Sequence, residues 1–239
     1  MIELIDFCKK YGGKIAVERV SLSVNRGEIA ALLGENGAGK TTILRAVCAL
    51  HSPTAGIVRV CGSEDSRLIK EKTGYVPEQS ILYPDFSVRE MLVFAGKMRG
   101  IFGLALKNAS ERVIQECKIG DVLDKKIREL SKGYSQRVSF AVALLHDPEV
   151  IVLDEPASGL DPAQIKRMRS FVKMLGKSRT VLLSTHLMQE VSELAEKVFI
   201  LKNGKIAASG TQSEIINKFG AKSLEDAFVS LSESGEGGF

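Results

Sequence analysis

Aromatic residues are scarce in this chain, and tryptophan is absent. Phe, Tyr and Trp together make up 6% of the 239 residues, which counts against the aromatic platforms that stack the bases of single-stranded nucleic acid. An excess of one charge is also lacking, since 33 Lys and Arg against 29 Asp and Glu give a formal net charge of +4. A balance this small does not demand a polyanionic partner. We therefore expect no direct contact with nucleic acid.

Long hydrophobic runs and a secretory leader are missing as well. The longest apolar runs, such as residues 140–145, are far below the ~18–20 residues that span a bilayer. The opening sequence Met1-Ile2-Glu3-Leu4 does not show the basic, apolar and small-residue order of a signal peptide. We therefore expect a cytoplasmic protein that works at a membrane only through another polypeptide.

The cysteines do not form a metal or redox motif. Cys8, Cys48, Cys61 and Cys117 lie far apart, and no Cys-x-x-Cys pair occurs. This spacing is typical of free thiols in a reducing compartment.

What the sequence does contain is an alternation of strands and helices. Hydrophobic residues make up 44% and charged residues 26%, as in ordinary globular proteins. A period of two within residues 1–27 predicts antiparallel strands. Short apolar runs predict buried strands, and helical stretches separate them; the runs are 29–33, 150–153 and 181–183, and the helices 40–50, 136–146 and 162–175. The pattern predicts an α/β fold with a mostly parallel sheet and an N-terminal antiparallel β subdomain.

Two further regions depart from this alternation. Residues 84–135 have helical spacing without strong strand signals, which predicts an inserted α-helical subdomain. Residues 197–208 predict a hairpin with the turn Asn203-Gly204. We divide the chain into a main domain, residues 1–215, and residues 216–239, a short C-terminal helix and an acidic, Gly-rich tail expected to fray.

A phosphate-binding loop follows the first apolar run. The pattern G-x-x-x-x-G-K-[ST] is matched by Gly34, Glu35, Asn36, Gly37, Ala38, Gly39, Lys40 and Thr41, with Thr42 next. Glycines let backbone N–H groups close around phosphate oxygens, and the following helix directs its positive N-terminus at the anion. Lys40 can then reach the β- and γ-phosphates, and Thr41 can ligate Mg²⁺. The strand–loop–helix context makes this segment a predicted P-loop for nucleotide binding.

Acidic residues end the second apolar run. Asp154 stands at the carboxyl end of the predicted strand and Glu155 follows it. Ligands of parallel α/β sheets bind outside the carboxyl ends of the strands, so both side chains are expected beside the phosphate loop. Asp154 suits a residue that holds Mg²⁺ directly or through water, and Glu155 can polarise a water for attack on the γ-phosphate.

With these motifs in place, the chain resembles the nucleotide-binding subunit of an ATP-binding-cassette (ABC) transporter over about residues 1–215. The feature that sets this family apart is its signature, LSGGQ, and residues 130–137 read LSKGYSQR. Lys132 replaces a Gly and Tyr134 replaces the Gln, whereas Ser131 and Gly133 remain. The resemblance implies a P-loop ATPase whose signature segment caps ATP bound to the opposite protomer of a head-to-tail dimer.

Other family landmarks occur in the expected order. The resemblance implies that Tyr11 stacks on adenine, that Asp161 in Ser158-Gly159-Leu160-Asp161 communicates across the dimer, and that His186 contacts the γ-phosphate. The family also places a Gln after Gly-Tyr-Val-Pro, where it touches Mg²⁺ or the attacking water. This chain has Glu78 followed by Gln79. Alignment on the downstream Leu-Tyr-Pro favours Glu78, and Gln79 stays an alternative.

The function that this resemblance implies is an ATP-hydrolysing motor subunit of a transporter. Its partners would be a separate transmembrane permease subunit and a second ATPase subunit, in a homodimer or heterodimer. The signature and the loop after Glu78 resemble single-domain ATPases of bacterial exporters, which lie on the cytoplasmic face of the membrane through the permease.

Two other functions remain as alternatives: a soluble ABC ATPase acting on nucleic acid or the ribosome, and a regulatory ATPase without a transport role. Only 89 residues separate Lys40 from Leu130, too few for the long coiled coil of repair ATPases. Glu155 and His186 are both present, which disfavours a regulator that does not hydrolyse ATP.

Overall fold

The strands form two sheets. The structure, a computed structural model, describes residues 1–233, with side chains to residue 231. In chain order the strands are β1 Ile2–Tyr11, β2 Lys14–Val24, β3 Ile29–Leu33, β4 Ala55–Val60, β5 Thr73–Val76, β6 Val150–Asp154, β7 Thr180–Thr185, β8 Lys197–Lys202 and β9 Lys205–Gly210. One sheet has the order β2-β1-β4 and is antiparallel, and the other has the order β5-β6-β7-β3-β8-β9.

Most of the helices lie between strands, and the last two follow β9. They are α1 Lys40–Val47, α2 Ser66–Lys72, α3 Val88–Met98, α4 Gly103–Cys117, α5 Lys132–Leu144, α6 Pro162–Gly176, α7 Met188–Leu194, α8 Gln212–Phe219 and α9 Leu224–Glu233. In the part of the chain that the structure describes, none of them is long and apolar enough to cross a membrane.

The three apolar runs of the sequence are the neighbouring strands β6, β7 and β3, as predicted. Every residue of these strands is buried, and the strands pair in parallel. Alternate residues of β3 face two separate cores: Ala31 and Leu33 pack among the helices, and Ala30 and Leu32 pack toward the antiparallel sheet. The prediction of a mostly parallel α/β fold with an antiparallel subdomain is confirmed. The adjacency of the three strands brings the loops after them to one edge of the sheet.

The predicted insertion is helical. α3 and α4 lie within it, and α3 begins with a complete capping box formed by Ser87 and Glu90. α5 begins at Lys132 because Ser131 caps it, so the prediction of a helix over 136–146 starts one turn too late. Its first turn is polar, and hydrophobic periodicity alone therefore missed it.

The predicted hairpin is present, and the described part of the C-terminal segment, predicted to contain one short helix, contains two, α8 and α9. β8 and β9 pair antiparallel, and Asn203 and Gly204 have φ of 48° and 75°, the left-handed values that a two-residue hairpin turn needs. The expected domain boundary after residue 215 falls inside α8. The division into a main domain and a C-terminal segment stays a prediction. The acidic residues Glu225 and Asp226 belong to α9. The expected frayed tail includes residues 234–239, which lie outside the described part of the chain.

Candidate functional site

Two glycines of the phosphate loop, Gly34 and Gly39, are required by close backbone approach. A Cβ on Gly34 would lie 2.5 Å from the carbonyl oxygen of Leu201, and a Cβ on Gly39 would lie 2.9 Å from that of Ala16. Gly39 also has φ of 106°, which L side chains rarely adopt. Gly39 is the N-cap of α1 and makes no side-chain capping bond. The first N–H groups of α1 therefore have no side-chain acceptor at the cap, as an anion site requires.

Three segments meet at the back of this loop. The carbonyl oxygen of Ala38 accepts from the N–H of Gly204 at 3.0 Å, and the Gly204 carbonyl oxygen accepts from the N–H of Glu18 at 2.8 Å. With the Gly39–Ala16 approach, these bonds join the loop to β2 and to the β8–β9 turn. We call this meeting point the loop junction. It couples the antiparallel sheet to the phosphate loop.

The other loop residues divide by exposure. Ala38 is buried, and the carbonyl oxygen of Thr42 lies 3.1 Å from His51 Nε2. The tip of the loop is exposed, and it consists of Glu35, Asn36 and Gly37.

Lys40 lies beneath the loop and is 6% exposed. Its Nζ donates to the carbonyl oxygens of Gly34 at 2.7 Å and Glu35 at 3.2 Å. The same Nζ lies 3.1 Å from Glu155 Oε1, in an ion pair that lacks the geometry of a directed hydrogen bond. The structure thus brings the predicted phosphate-binding cation to the predicted water-polarising carboxylate.

Glu155 is held in an unusual backbone conformation. Its φ is 46°, in the left-handed region, where a non-glycine residue is strained by about 1–3 kcal/mol. Its N–H donates to the hydroxyl and the carbonyl oxygen of Ser184 at 3.0 and 3.2 Å, and these bonds keep the turn in place. His186 Nδ1 lies 2.8 Å from Glu155 Oε2. The carboxylate therefore has Lys40 on one oxygen and His186 on the other.

Asp154 lies at the end of β6 and is surrounded by hydroxyl groups. Its Oδ1 accepts from Ser184 Oγ at 2.6 Å and from Thr41 Oγ1 at 3.1 Å, and its Oδ2 accepts from Tyr75 at 3.2 Å. Burial and the Asp154 charge raise the pKa of Tyr75, which keeps the phenol a donor. The predicted pair Thr41 and Asp154 meets here with oxygen atoms only, the donor type that Mg²⁺ prefers.

Ser184 and Tyr75 were not assigned a role from the sequence. Both side chains reach Asp154 from neighbouring strands, because β7 pairs Ser184 with Asp154 and β5 pairs Val76 with Leu153. The available signal was their position near the carboxyl ends of predicted strands.

Glu78 lies away from that cluster of hydroxyl groups. It is exposed, and its Oε1 accepts from Ser158 Oγ at 3.4 Å. Gln79 is exposed as well. The structure thus connects Glu78 to the segment that follows Glu155.

The signature residues form an exposed helix start. Ser131 Oγ accepts from the N–H of Tyr134 at 3.4 Å. The Tyr134 hydroxyl donates to Asp121 in the insertion, so this side chain is engaged within its own subdomain. A Cβ on Gly133 would lie 3.0 Å from Gln164 Nε2, the end of a flexible side chain.

The segment 158–161 packs beside the signature. Lys132 Nζ lies against Gly159, and Gly159 has φ of 65°. Asp161 caps α6, accepting from the N–H of Gln164 at 2.8 Å. Asp161 therefore has a helix-capping role within this chain, whatever it contributes to a dimer.

Tyr11 ends β1, on the hairpin that meets the phosphate loop at the loop junction. The Tyr11 side chain is 48% exposed. The His51 ring contacts it edge-on, with 6.0 Å between the ring centroids, and Lys9 Nζ lies 5.3 Å from the centroid of the Tyr11 ring. Burial, with the charge of Lys9, lowers the pKa of His51. An aromatic ring with this exposure is available for stacking.

Comparison with known proteins gives a consistent result. Residues 17–158 match the family described as ABC transporter, and residues 126–192 also match one described as an AAA domain, putative AbiEii toxin. The chain is 36% identical over 225 residues to the uncharacterized ABC transporter ATP-binding protein YhaQ of Bacillus subtilis (strain 168), covering 94% of this chain and 76% of that protein. It is 37% identical to the Nod factor export ATP-binding protein I of Burkholderia orbicola (strain AU 1054), covering 87% and 70%.

Solved structures agree with these relatives. An ATP-binding subunit of an ABC transporter aligns with a TM-score of 0.86 and 29% identity, covering 97% of this chain and 99% of that one. A dimeric cassette, MJ0796, in a post-hydrolysis state bound to ADP and Pi aligns with a TM-score of 0.77 and 27% identity, covering 88% and 98%. The chain therefore belongs to the ABC transporter family, as an ATP-binding cassette ATPase.

Proposed function

We propose that this ATPase binds MgATP at the edge formed by β3, β6 and β7 and drives transport through a separate membrane subunit. The observation that carries the proposal is the meeting of Lys40 and Glu155, 3.1 Å apart, under a glycine loop that opens a helix. Positive charge and a base-competent carboxylate at one helix N-terminus are what γ-phosphate hydrolysis needs.

Each side chain of the proposed site has its own role in that reaction. Lys40 and the N–H groups of α1 bind the phosphates, and Glu155 orients a water and accepts its proton. His186, on the far oxygen of Glu155, holds that carboxylate and faces the γ-phosphate. Tyr11 stacks on the adenine.

Thr41 and Asp154 fit a Mg²⁺ ion. Their oxygens lie 3.1 Å apart, and one carboxylate with one hydroxyl is the usual protein share of a site that phosphates and waters complete. Bound there, Mg²⁺ neutralises phosphate charge. Glu78 fills the position of the family's Gln, and its bond to Ser158 supports a role in linking the loop after β5 to the segment that follows Glu155 rather than a direct one at Asp154.

The site is completed by a second ATPase subunit, identical or related. α5 is capped by the exposed Ser131, and a helix N-terminus of this kind favours an anion. Dimeric structures of similar cassettes support a head-to-tail arrangement in which Ser131, Gly133 and Asp161 of one protomer meet the phosphate loop of the other.

A permease docks on the inserted subdomain, and the direction of transport is export. Large hydrophobic side chains are exposed on it, namely Met98, Phe102 and Leu104, and in the loop just before it, namely Ile81 and Tyr83. Monomeric proteins rarely expose such groups together without a partner. Similarity to a Nod factor export protein supports the direction. The protein would then lie at the cytoplasmic face of the membrane through this surface, with residues 1–215 as the cassette and 216–239 as an appendage.

The shared site is tested by mixing two inactive variants, Lys40→Ala and Gly133→Asp. The second places a carboxylate where the γ-phosphate is expected, and the flexible end of Gln164 can move aside for it. In a mixed dimer one site has both defects and the other has none. Restored ATP hydrolysis across mixing ratios is the expected result. If mixed dimers are demonstrably present and no ATP is hydrolysed, the result contradicts the proposal that each site is shared between protomers and that one intact site hydrolyses ATP alone.

The membrane partner is tested by affinity capture from mild detergent extracts. A multi-span membrane protein should copurify with the wild type, and should be lost when Met98 and Phe102 are both changed to Ser. Recovery of ribosomes or DNA instead would favour the alternative function.

A further inference from the structure

Glu190 is a buried carboxyl group that the proposed mechanism does not use. It lies in the first turn of α7 and is 1% exposed. Burial raises the pKa of this carboxyl, against the lowering effects of the Thr185 hydrogen bond and the Arg169 charge. Its Oε1 has no hydrogen bond among the described residues. Acidic residues are almost never fully buried without a partner, so the contact that Glu190 does make is informative.

That contact is a relay through a hydroxyl group. Glu190 Oε2 accepts from the Thr185 hydroxyl, and Thr185 Oγ1 accepts from the N–H of Leu187 at 3.0 Å. Leu187 is the N-cap of α7 and offers no side-chain acceptor. In a capping box the third helical residue accepts directly from the N-cap N–H. Here the Thr185 hydroxyl lies between the Glu190 carboxylate and the N–H of Leu187 and bonds to both.

The relay encloses His186. Thr185 and Leu187 are its two chain neighbours, and both are tied to the Glu190 carboxyl. The imidazole between them is 48% exposed and lies 2.8 Å from Glu155. Because the backbone on both sides is fixed, the direction in which the ring leaves the chain is fixed as well.

The alternative role for Glu190 is to hold α7 against α6 through Arg169. That pairing is made by another residue: Arg169 Nη1 donates to Glu193 Oε1 at 2.6 Å. Arg169 Nε has no hydrogen bond among the described side chains. The packing of the two helices thus has its own ion pair, and the hydrogen bond of Glu190 goes to the strand that leads to His186.

We infer that Glu190 is a positioning residue, which acts through the Thr185 hydroxyl to hold His186 against Glu155 during ATP hydrolysis. The inference rests on the proposed role of His186. Glu190 and Thr185 are both buried, at 1% and 0% exposure, so both act through His186 rather than on the nucleotide.

Thr185→Val is the variant that tests the relay, because valine keeps the buried shape and removes the hydroxyl. We expect kcat to fall about 10- to 100-fold, as displaced reacting groups commonly cause, with the Kd for ATP unchanged within twofold and the protein folded by circular dichroism. Thr185→Ser should recover most of the kcat. Glu193→Gln is the matched control, on the same helix and next to the same arginine, and should keep it. Loss of activity in Thr185→Ser equal to that in Thr185→Val would overturn the relay.

A double variant separates the relay from the proposed function. If the relay acts through His186, then Thr185→Val should lower kcat no further in a His186→Ala background, and additive losses would overturn it. If His186→Ala alone keeps full kcat, the proposed role of His186 fails. The relay is then decided by the ring ¹⁵N chemical shifts of His186, one of three histidines in the chain. The relay is supported if these chemical shifts differ from wild type in Thr185→Val but not in Glu193→Gln. It is overturned if they are unchanged in Thr185→Val.

Discussion

Two helix N-termini of this protein face the proposed chemistry, and they are built in opposite ways. α1 has Gly39 as its N-cap, without a side-chain bond, and begins with the buried Lys40. α5 has the exposed Ser131 as its N-cap, and the Ser131 hydroxyl accepts from one N–H group of the first turn. The first is a site assembled within one chain, and the second is a surface that needs an anion brought to it.

The difference suggests that binding and hydrolysis depend on different parts of the molecule. α1, with Lys40 and the loop, has what it needs to hold a nucleotide in a single protomer. In the proposed dimer, α5 adds its dipole and a hydroxyl only when two protomers meet. Variants at the two termini should therefore fail in different assays.

Lys40→Ala should have the largest effect. No other cation of the loop can neutralise the β- and γ-phosphates, and Glu155 would lose its buried partner at 3.1 Å. We expect ATP binding to weaken and hydrolysis to disappear while circular dichroism stays native. Lys70→Ala, at an exposed lysine of α2, serves as the control. Unchanged turnover by a folded Lys40→Ala protein would contradict the assignment of this site.

Glu155→Gln should separate binding from chemistry. The amide keeps the shape but cannot accept a proton, and loss of a positioned base costs about 10²–10⁴-fold in rate. We expect ATP to bind normally and an ATP-dependent dimer to accumulate, seen as a doubled mass in size-exclusion chromatography. Near-normal hydrolysis would place the base elsewhere.

Ser131→Ala should impair the surface terminus alone. A hydrogen bond to a charged group contributes about 1.5–3 kcal/mol, so kcat should fall about 10- to 100-fold with ATP binding by the monomer intact. Ser87→Ala is the matched control, since Ser87 also caps a helix, α3, in a complete capping box, and has no part in the proposed site.

Removal of the Ser87 cap should lower the free energy of unfolding more than removal of the Ser131 cap, which is the reverse of their expected effects on kcat. Ser87 accepts from Glu90 at 3.2 Å within two reciprocal bonds, whereas the Ser131 bond is 3.4 Å long. Ser87→Ala should cost about 1 kcal/mol of unfolding free energy, more than Ser131→Ala, and leave kcat unchanged. Urea unfolding with activity assays checks both rankings, and a Ser131→Ala protein that loses only stability would make Ser131 an ordinary cap.

Tyr11→Ala should have the smallest effect, limited to the α1 half of the site. Stacking of a base on an aromatic ring contributes ~1–3 kcal/mol, so Kd for ATP should rise by about one decade, and Tyr11→Phe should barely change it. Because stacking does not read base edges, GTP should compete. Isothermal titration that gives equal Kd for wild type and Tyr11→Ala would make Tyr11 a packing residue.

Much of this organisation was predictable because it is local in sequence. Apolar runs predicted β3, β6 and β7, and the glycine pattern predicted the loop and Lys40. The first turn of α5 was missed by periodicity, although Ser131 marked its cap, since its residues are polar. Local hydrophobic patterns predict which segments are buried, but they give little signal over a first helical turn made of polar residues.

The remainder depends on register between strands that are distant in sequence. Ser184 meets Asp154 because β7 pairs with β6 in one particular register, and a shift of one residue would turn it to the other face. Glu78 meets Ser158 across the loops. No run of neighbouring residues contains this information.

The loop junction has a consequence for amide hydrogen exchange. Its two bonds run in series, from Ala38 to Gly204 and from Gly204 to Glu18, so the N–H of Glu18 exchanges only when β2 separates from the hairpin turn. A nucleotide that rigidifies the loop should slow the opening of the whole series. Protection on ATP binding should then extend beyond the amides proposed to contact phosphate to Gly204, in the β8–β9 turn, and to Glu18, on β2.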